Sequence, residues 1–171
     1  MDRDTMDKPR VYLESSVVSF YTARPSRDVI ALARQEITRA WWDKHLHEYE
    51  ACVSEAVLDE VRRGHPAAAD ERLRAVAGLP LLPILPESGA LAALYAERLS
   101  LPEKGVYDTL HIAIASLHGV DYLVTWNCKH IANAHMRRGL AEINMAEGLT
   151  IPIICTPEEL LDDDTLPNPD L

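Results

Sequence analysis

The sequence lacks any apolar run near the roughly 18 residues that a membrane-spanning helix requires, so no membrane association is expected. The first ten residues are charged and contain no apolar core of a signal peptide, which predicts a cytoplasmic protein. Cysteine is also scarce. Only Cys52, Cys128 and Cys155 are present, and an odd number at wide spacing favours reduced thiols over a disulfide framework.

Basic residues are few: 17 Lys and Arg stand against 27 Asp and Glu, giving a formal net charge of −10. Such a charge argues against a polyanionic partner, because phosphate binding depends on basic side chains. However, six of the acidic residues lie between positions 157 and 171, where no Lys or Arg occurs. The remainder of the chain is nearly neutral, so nucleic-acid binding stays open.

With 171 residues, 47% of them hydrophobic and 26% charged, the chain has the length and composition of one globular domain. We predict a single domain over residues 1–161 and a frayed acidic tail over residues 162–171. Short apolar runs alternate with helical patterns throughout, which predicts βαβ units around a parallel sheet. The runs that we interpret as strands are 11–13, 51–53, 81–85, 121–125 and 151–155.

Several local signals refine this pattern. Ser15 or Ser16 is expected to cap a first helix, a long amphipathic helix is expected over residues 28–50, and a later helix is expected from about residue 131 to 147. Pro83 predicts an edge position for the strand that contains it. The segment 106–118 is apolar nearly all round, which indicates a helix buried on most of its surface.

Four polar residues are candidates for chemistry: Glu14, Glu60, Asp108 and Asn127. Each has an ordinary structural explanation when taken alone, as a strand end, a solvated helix residue, a helix cap or a turn former. In open α/β sheets, however, ligands bind beyond the carboxyl ends of the strands. Carboxylates that converge there repel one another unless a hard cation lies among them.

Four segments in this order and spacing resemble the PIN-domain ribonucleases of the VapC toxin type. The segments are 12–19 (YLESSVVS), 54–60 (SEAVLDE), 108–115 (DTLHIAIA) and 121–131 (DYLVTWNCKHI). The resemblance covers nearly the whole chain. It implies a PIN-like three-layer α/β/α fold with a central, mostly parallel sheet, a site for Mg²⁺ or Mn²⁺, and hydrolysis of RNA phosphodiester bonds.

By this resemblance, Glu14 takes the place of the family's first aspartate, and Ser16 that of a supporting hydroxyl. Glu60 matches the glutamate of the family and Asp108 its third acid. Asn127 lies where many members carry a fourth acid, so this chain offers three carboxylates, with Asn127 as an uncharged fourth site residue. The amide of Asn127 could still coordinate an ion through its oxygen or position a water molecule.

The resemblance also implies partners, namely an RNA substrate and a cognate antitoxin protein. Ser16, Lys129 and His130 are the candidate RNA contacts, and Arg137 and Arg138 extend the basic cluster. A homodimer is expected as well. The surface of the long helix, including one of the adjacent Trp41 and Trp42, is the candidate face for the dimer or another partner.

Three alternatives remain open. The fold could serve as a catalytically weak RNA-binding or protein-binding module, since Asn127 depletes the acidic set. A metal-dependent phosphatase is disfavoured because no Asp-x-Asp follows the first strand. Zinc binding by Cys128, His130 and His135 is disfavoured because no fourth ligand is evident.

His111 lies one helical turn after Asp108, so we expect it either to orient that acid or to pack in the core.

Overall fold

The computed structural model describes residues 7–101 and 105–161, and it contains a five-stranded parallel sheet. The predicted tail at residues 162–171 lies outside the described residues. Neighbouring strands follow the order β3-β2-β1-β4-β5. The strands are Arg10–Leu13 (β1), Glu50–Ser54 (β2), Leu81–Leu82 (β3), Tyr122–Val124 (β4) and Ile153–Cys155 (β5). The predicted α/β class with a parallel sheet is confirmed.

Within the described ranges, seven α-helices accompany the strands. They are Ser15–Thr22 (α1), Val29–His45 (α2), Glu55–Val61 (α3), Pro66–Val76 (α4), Ser88–Arg98 (α5), Val106–Leu117 (α6) and Ala134–Glu147 (α7). Helices α1 to α4 pack with one another, whereas α5 packs against α6 and α7. None of the helices in the described part of the chain combines the length and apolarity that a membrane span needs.

Strand β1 lies at the centre of the sheet, paired with β2 on one side and β4 on the other. Its apolar residues Val11, Tyr12 and Leu13 are completely buried, which explains why this short run forms the middle of the core. The pairing continues one residue beyond the strand, because the amide of Glu14 donates to the carbonyl of Val124 at 3.1 Å. Glu14 is thereby fixed at the centre of the carboxyl edge of the sheet.

Three predicted elements have different bounds in the structure. The strand predicted over residues 81–85 is paired only at Leu81–Leu82. The long helix α2 stops at His45, and a short 3-10 helix (Leu46–Glu48) connects it to β2. Helix α7 begins at Ala134 rather than near residue 131, because the side chain of Asn133 accepts the amide hydrogen of Met136 and caps the helix there.

The first helix also starts differently from the prediction. Its cap is the side chain of Glu14, which accepts the amide hydrogen of Ser16 at 3.2 Å, so neither Ser15 nor Ser16 is the N-cap. Glutamate is an uncommon cap because its extra methylene must fold back over the helix end. A residue that does so here is held by other contacts as well.

Other sequence predictions agree with the structure. Strand β3 is at the sheet edge, and Pro83 follows its two paired residues. Helix α6 is buried along residues 111–116. Trp41 is completely buried and Trp42 stacks on Tyr21 with 4.3 Å between ring centroids, so both rings pack within the protein. The three cysteines are unpaired.

Candidate functional site

The site lies where three parallel strands end side by side. Ser54 closes β2, Glu14 follows β1, and Thr125 follows β4. All three side chains are buried, with Glu14 only 5% exposed. A carboxylate in such a position requires hydrogen-bond donors around it, because burying an uncompensated charge is costly.

Glu14 receives those donors from both neighbouring elements. Its Oε1 accepts from the Ser15 hydroxyl at 2.7 Å and from the Ser16 amide, while its Oε2 accepts from the Ser16 hydroxyl and from the Thr125 hydroxyl at 2.7 Å. The Ser16 hydroxyl oxygen also accepts the amide hydrogen of Trp126 at 2.9 Å. Ser16 therefore connects helix α1 to the end of β4, and the carboxylate of Glu14 is held in one orientation.

Glu60 projects from α3 toward the same edge and contacts a buried histidine. The Nε2 of His111 lies 3.0 Å from Oε2 of Glu60. The Nδ1 of His111 lies 2.7 Å from the hydroxyl of Tyr12, which in turn lies 2.7 Å from the hydroxyl of Ser54. The prediction was that His111 either orients Asp108 or packs in the core; the structure buries it in the core, and its hydrogen bond goes to Glu60 rather than Asp108.

Asp108 lies in the first turn of α6 and contacts Asn127. The Asn127 amide nitrogen donates to Oδ1 of Asp108 at 3.0 Å, and the Asn127 side-chain oxygen accepts the backbone amide hydrogen of His130 at 3.1 Å. The second bond fixes which end of the amide faces Asp108. Asn127 thus presents a donor to the acid, and its oxygen is occupied by the backbone.

Three ligand atoms gather most closely at this edge. Among the residues that the structure describes, Glu14, Glu60 and His111 form the set whose ligand atoms all lie within 4.8 Å of one another. Asp108 is outside that set. Cys128, His130 and His135 form no such cluster within the described ranges. A donor set built mainly of carboxylates suits a hard divalent cation.

The charges of the site influence the pKa values of its acids in opposite directions. Burial raises the pKa of Asp108 and the charge of Glu14 adds to this, although His130 and the Asn127 hydrogen bond oppose them. Burial would also raise the pKa of Glu60, but the hydrogen bond and charge of His111 outweigh it, so that pKa lies below its ordinary value. The charged form of Glu60 is therefore favoured by its surroundings, whereas that of Asp108 is disfavoured.

The remaining candidates lie around this edge. Lys129 is exposed and its backbone carbonyl accepts from Asn133, while His130 is partly buried and close enough to Asp108 to lower its pKa. Arg63 lowers the pKa of Glu60 in the same way. Basic side chains thus accompany the acids, within an otherwise nearly neutral body.

Sequence reasoning missed Tyr12 and Thr125, both of which contact the site. Thr125 has a positional signal, since it ends β4 next to the carboxyl end of β1 and carries a hydroxyl. Tyr12 was interpreted as a strand residue because of its β propensity. Its role depends on which helix covers the strand, and that information is absent from local sequence.

We predict that Asn127→Asp lowers stability without metal and increases the stabilisation by Mg²⁺. A carboxylate in place of the amide would face Asp108 at about hydrogen-bond distance, which costs about 1 to 2 kcal/mol. For a chain of this length, that lowers Tm by about 2 to 8 °C in EDTA. Added Mg²⁺ should raise Tm further in the variant than in the wild type, as differential scanning fluorimetry can measure. An unchanged Tm in EDTA would contradict the contact between the two side chains.

Comparison with known proteins identifies a family and similar solved structures. A model of the PIN domain matches residues 26–130, which include Glu60, Asp108 and Asn127 but not Glu14. No curated protein sequence matches significantly. One similar solved structure is a chain in the crystal structure of VapBC2 from Rickettsia felis bound to a DNA fragment from their promoter. It is 13% identical, with 86% of this chain and 98% of that chain covered and a TM-score of 0.50.

Proposed function

Since the chain belongs to the PIN-domain family, we propose that it is a divalent-metal-dependent endoribonuclease that hydrolyses RNA phosphodiester bonds. The observation that carries the proposal is the meeting of Glu14 and Glu60, whose carboxylate oxygens lie within 4.8 Å of each other at the carboxyl edge of the sheet. Asp108 lies close enough for the charge of Glu14 to raise its pKa. Three acids at one sheet edge match the oxygen-rich chemistry of a hard cation.

Glu14, Glu60 and Asp108 would hold Mg²⁺ or Mn²⁺. The chemistry that such an ion supplies when bound is activation of water and neutralisation of charge on the phosphodiester. Ser15, Ser16 and Thr125 orient Glu14 by hydrogen bonds, and the donor of Asn127 orients Asp108. The two serine hydroxyls donate to Glu14, which makes them supports for the acid and poor candidates for a nucleophile.

The RNA backbone would be contacted by basic side chains beside the acids. His130 influences the pKa of Asp108, Arg63 influences that of Glu60, and Lys129 is exposed two residues after Asn127. Contacts to phosphate position a nucleic acid without reading its sequence. Ser16, the other candidate RNA contact, would act by orienting Glu14, since its hydroxyl is already bonded to that carboxylate.

We further propose that the chain acts as the toxin of a toxin–antitoxin pair in the cytoplasm, as a homodimer with a cognate antitoxin. Support comes from the fold shared with a chain of the VapBC2 structure. Charge provides a physical motive: an Arg of the antitoxin could satisfy the acids by bidentate hydrogen bonds in place of the metal. On α2, Val29 and Ile30 are 78% and 67% exposed. They replace Trp41 and Trp42, which pack within the protein, as the candidate residues for contact with a second copy or the antitoxin.

One observation favours a second candidate, a PIN-like binding module with weak catalysis. Asn127 supplies no carboxylate, and its side-chain oxygen is bonded to the amide of His130. A site with three acids holds less charge for a second ion than a site with four. The module would bind RNA or protein without cleaving it.

An RNA cleavage assay with metal titration separates the two candidates. Purified protein is treated with EDTA, then supplied with Mg²⁺ or Mn²⁺ over a concentration series and incubated with a mixed RNA substrate. We expect no cleavage in EDTA and cleavage that saturates with the added ion. Asp59→Asn serves as a control for preparation quality, since Asp59 is exposed on α3 beside Glu60. RNA binding without cleavage at any metal concentration would favour the module.

A further inference from the structure

The contact between His111 and Glu60 determines where one proton lies. A carboxylate accepts hydrogen bonds and cannot donate them, so the Nε2 of His111 at 3.0 Å from Oε2 of Glu60 must carry a hydrogen. A metal ligand must instead present a lone pair from that nitrogen. While the contact with Glu60 persists, His111 is therefore a donor and not a ligand, although its nitrogen lies within 4.8 Å of both acids.

The other nitrogen of His111 is also engaged. Nδ1 meets the Tyr12 hydroxyl at 2.7 Å, and that hydroxyl meets Ser54 at 2.7 Å. Ser54 in turn caps α3 by accepting the amide hydrogen of Val57 at 3.3 Å. The chain of hydrogen bonds begins at the start of α3 and returns, through β1 and α6, to Glu60 near the end of the same helix.

The residues that lead to Glu60 in this series of hydrogen bonds are shielded from water. Tyr12 and Ser54 have no exposed surface, and His111 is 1% exposed, whereas 22% of the Glu60 side chain is exposed. Buried hydrogen bonds of this kind hold a single geometry, because no water can replace a partner. The flexible part of the arrangement is the side chain of Glu60, which has three rotatable bonds and is fixed at its tip by His111.

We propose that Tyr12 and His111 are positioning residues for Glu60, holding its carboxylate toward Glu14, and that His111 does not bind the metal itself. This inference rests on the proposed function, because it assumes that the two acids hold a divalent cation. Groups that orient a ligand in this way typically contribute 10-fold to 100-fold to metal affinity.

Mn²⁺ affinity of metal-free protein, measured by isothermal titration calorimetry, tests the role of Tyr12. Tyr12→Phe removes the hydroxyl and keeps the ring, and we expect Mn²⁺ to bind about 10-fold more weakly. Tyr95→Phe is the matched control, since Tyr95 is equally buried and its hydroxyl bonds Ser116 and Asn144 outside the site. Both variants lose a buried hydroxyl, but only the first should lose Mn²⁺ affinity.

Two variants of His111 test whether an N–H group that donates to Glu60 is what supports Mn²⁺ binding. His111→Gln keeps an N–H that can reach Glu60, whereas His111→Leu has none. We expect Leu to weaken Mn²⁺ binding by 10-fold to 100-fold and Gln to recover most of the affinity. Electron spin echo spectroscopy of Mn²⁺ bound to the wild type should show no directly coordinated imidazole nitrogen.

Each outcome bears on a separate statement. Wild-type affinity in Tyr12→Phe, or an equal loss in Tyr95→Phe, would overturn the positioning role. A coordinated imidazole nitrogen would overturn the assignment of His111 as a donor. Mn²⁺ binding that follows the expected order, in a protein that cleaves no RNA, would leave the positioning role intact and overturn the proposed function alone. No Mn²⁺ binding to the wild type would overturn both.

Discussion

Asp108→Asn is expected to reduce RNA cleavage by at least about 100-fold while the protein remains folded. The substitution removes one of three charges available to a cation and changes the shape of the side chain very little. The Asn127 amide can still donate to the retained oxygen at position 108. Because burial already disfavours the charged form of Asp108, as its raised pKa indicates, loss of the charge should leave Tm unchanged or raise it.

Cleavage rates with saturating Mg²⁺ and Tm in EDTA, measured on the same preparations, check this result. Asp59→Asn is the matched control, because it removes an exposed carboxylate whose pairing with Arg62 contributes little. The control should cleave at the wild-type rate. A variant at position 108 that also cleaves at the wild-type rate would remove Asp108 from the catalytic set.

Glu14→Ala is expected to cost about 2 to 4 kcal/mol of unfolding free energy in the absence of metal. The substitution removes a helix cap, which contributes about 1 kcal/mol, and leaves buried donors on Ser16 and Thr125 without their acceptor. Glu14→Gln should cost less than about half as much, because its oxygen still accepts one donor and the hydroxyls can rotate to accept from its amide.

Urea denaturation in EDTA measures both variants. Asp28→Ala separates the effect of capping from that of the buried donors, since Asp28 caps α2 by accepting from Ala31 but is exposed. This control should cost about 1 kcal/mol. If Glu14→Ala cost no more than Asp28→Ala, the hydrogen bonds from Ser16 and Thr125 would be shown to contribute nothing to stability.

The sequence was informative about the fold because the alternation of apolar runs and helical patterns is a local signal. Strands were located to within one or two residues where the run was short and bounded, as in β1 and β2. The end of α2 and the start of α7 were not, because a 3-10 helix and an asparagine cap decide them. The exact end of a helix depends on which of several competing hydrogen bonds forms there. The periodicity of apolar residues carries no information about that competition.

The candidate site was predictable only in part. Strand ends and the family resemblance identified Glu14, Glu60, Asp108 and Asn127 as residues of interest. The pairing of Glu60 with His111 was not predicted, because it joins α3 to α6 across 51 positions of sequence. The orientation of Asn127 also depends on a backbone amide three residues later. Contacts of this kind become visible only when the packing of the helices is known.

The central position of β1 determines when, during translation, the surroundings of Glu14 can form. Strand β1 is synthesised before its partner β4, which lies 111 residues later, and Thr125 follows β4. Pairing over such sequence distances is slow, because the loop must close before any contact compensates for it. During translation, Glu14 therefore lacks the hydrogen bond from Thr125 and the pairing with β4 until the chain beyond residue 125 has left the ribosome. A nascent chain that stops short of residue 125 lacks both β4 and the Thr125 hydroxyl, so the carboxylate of Glu14 is not yet held in its final orientation.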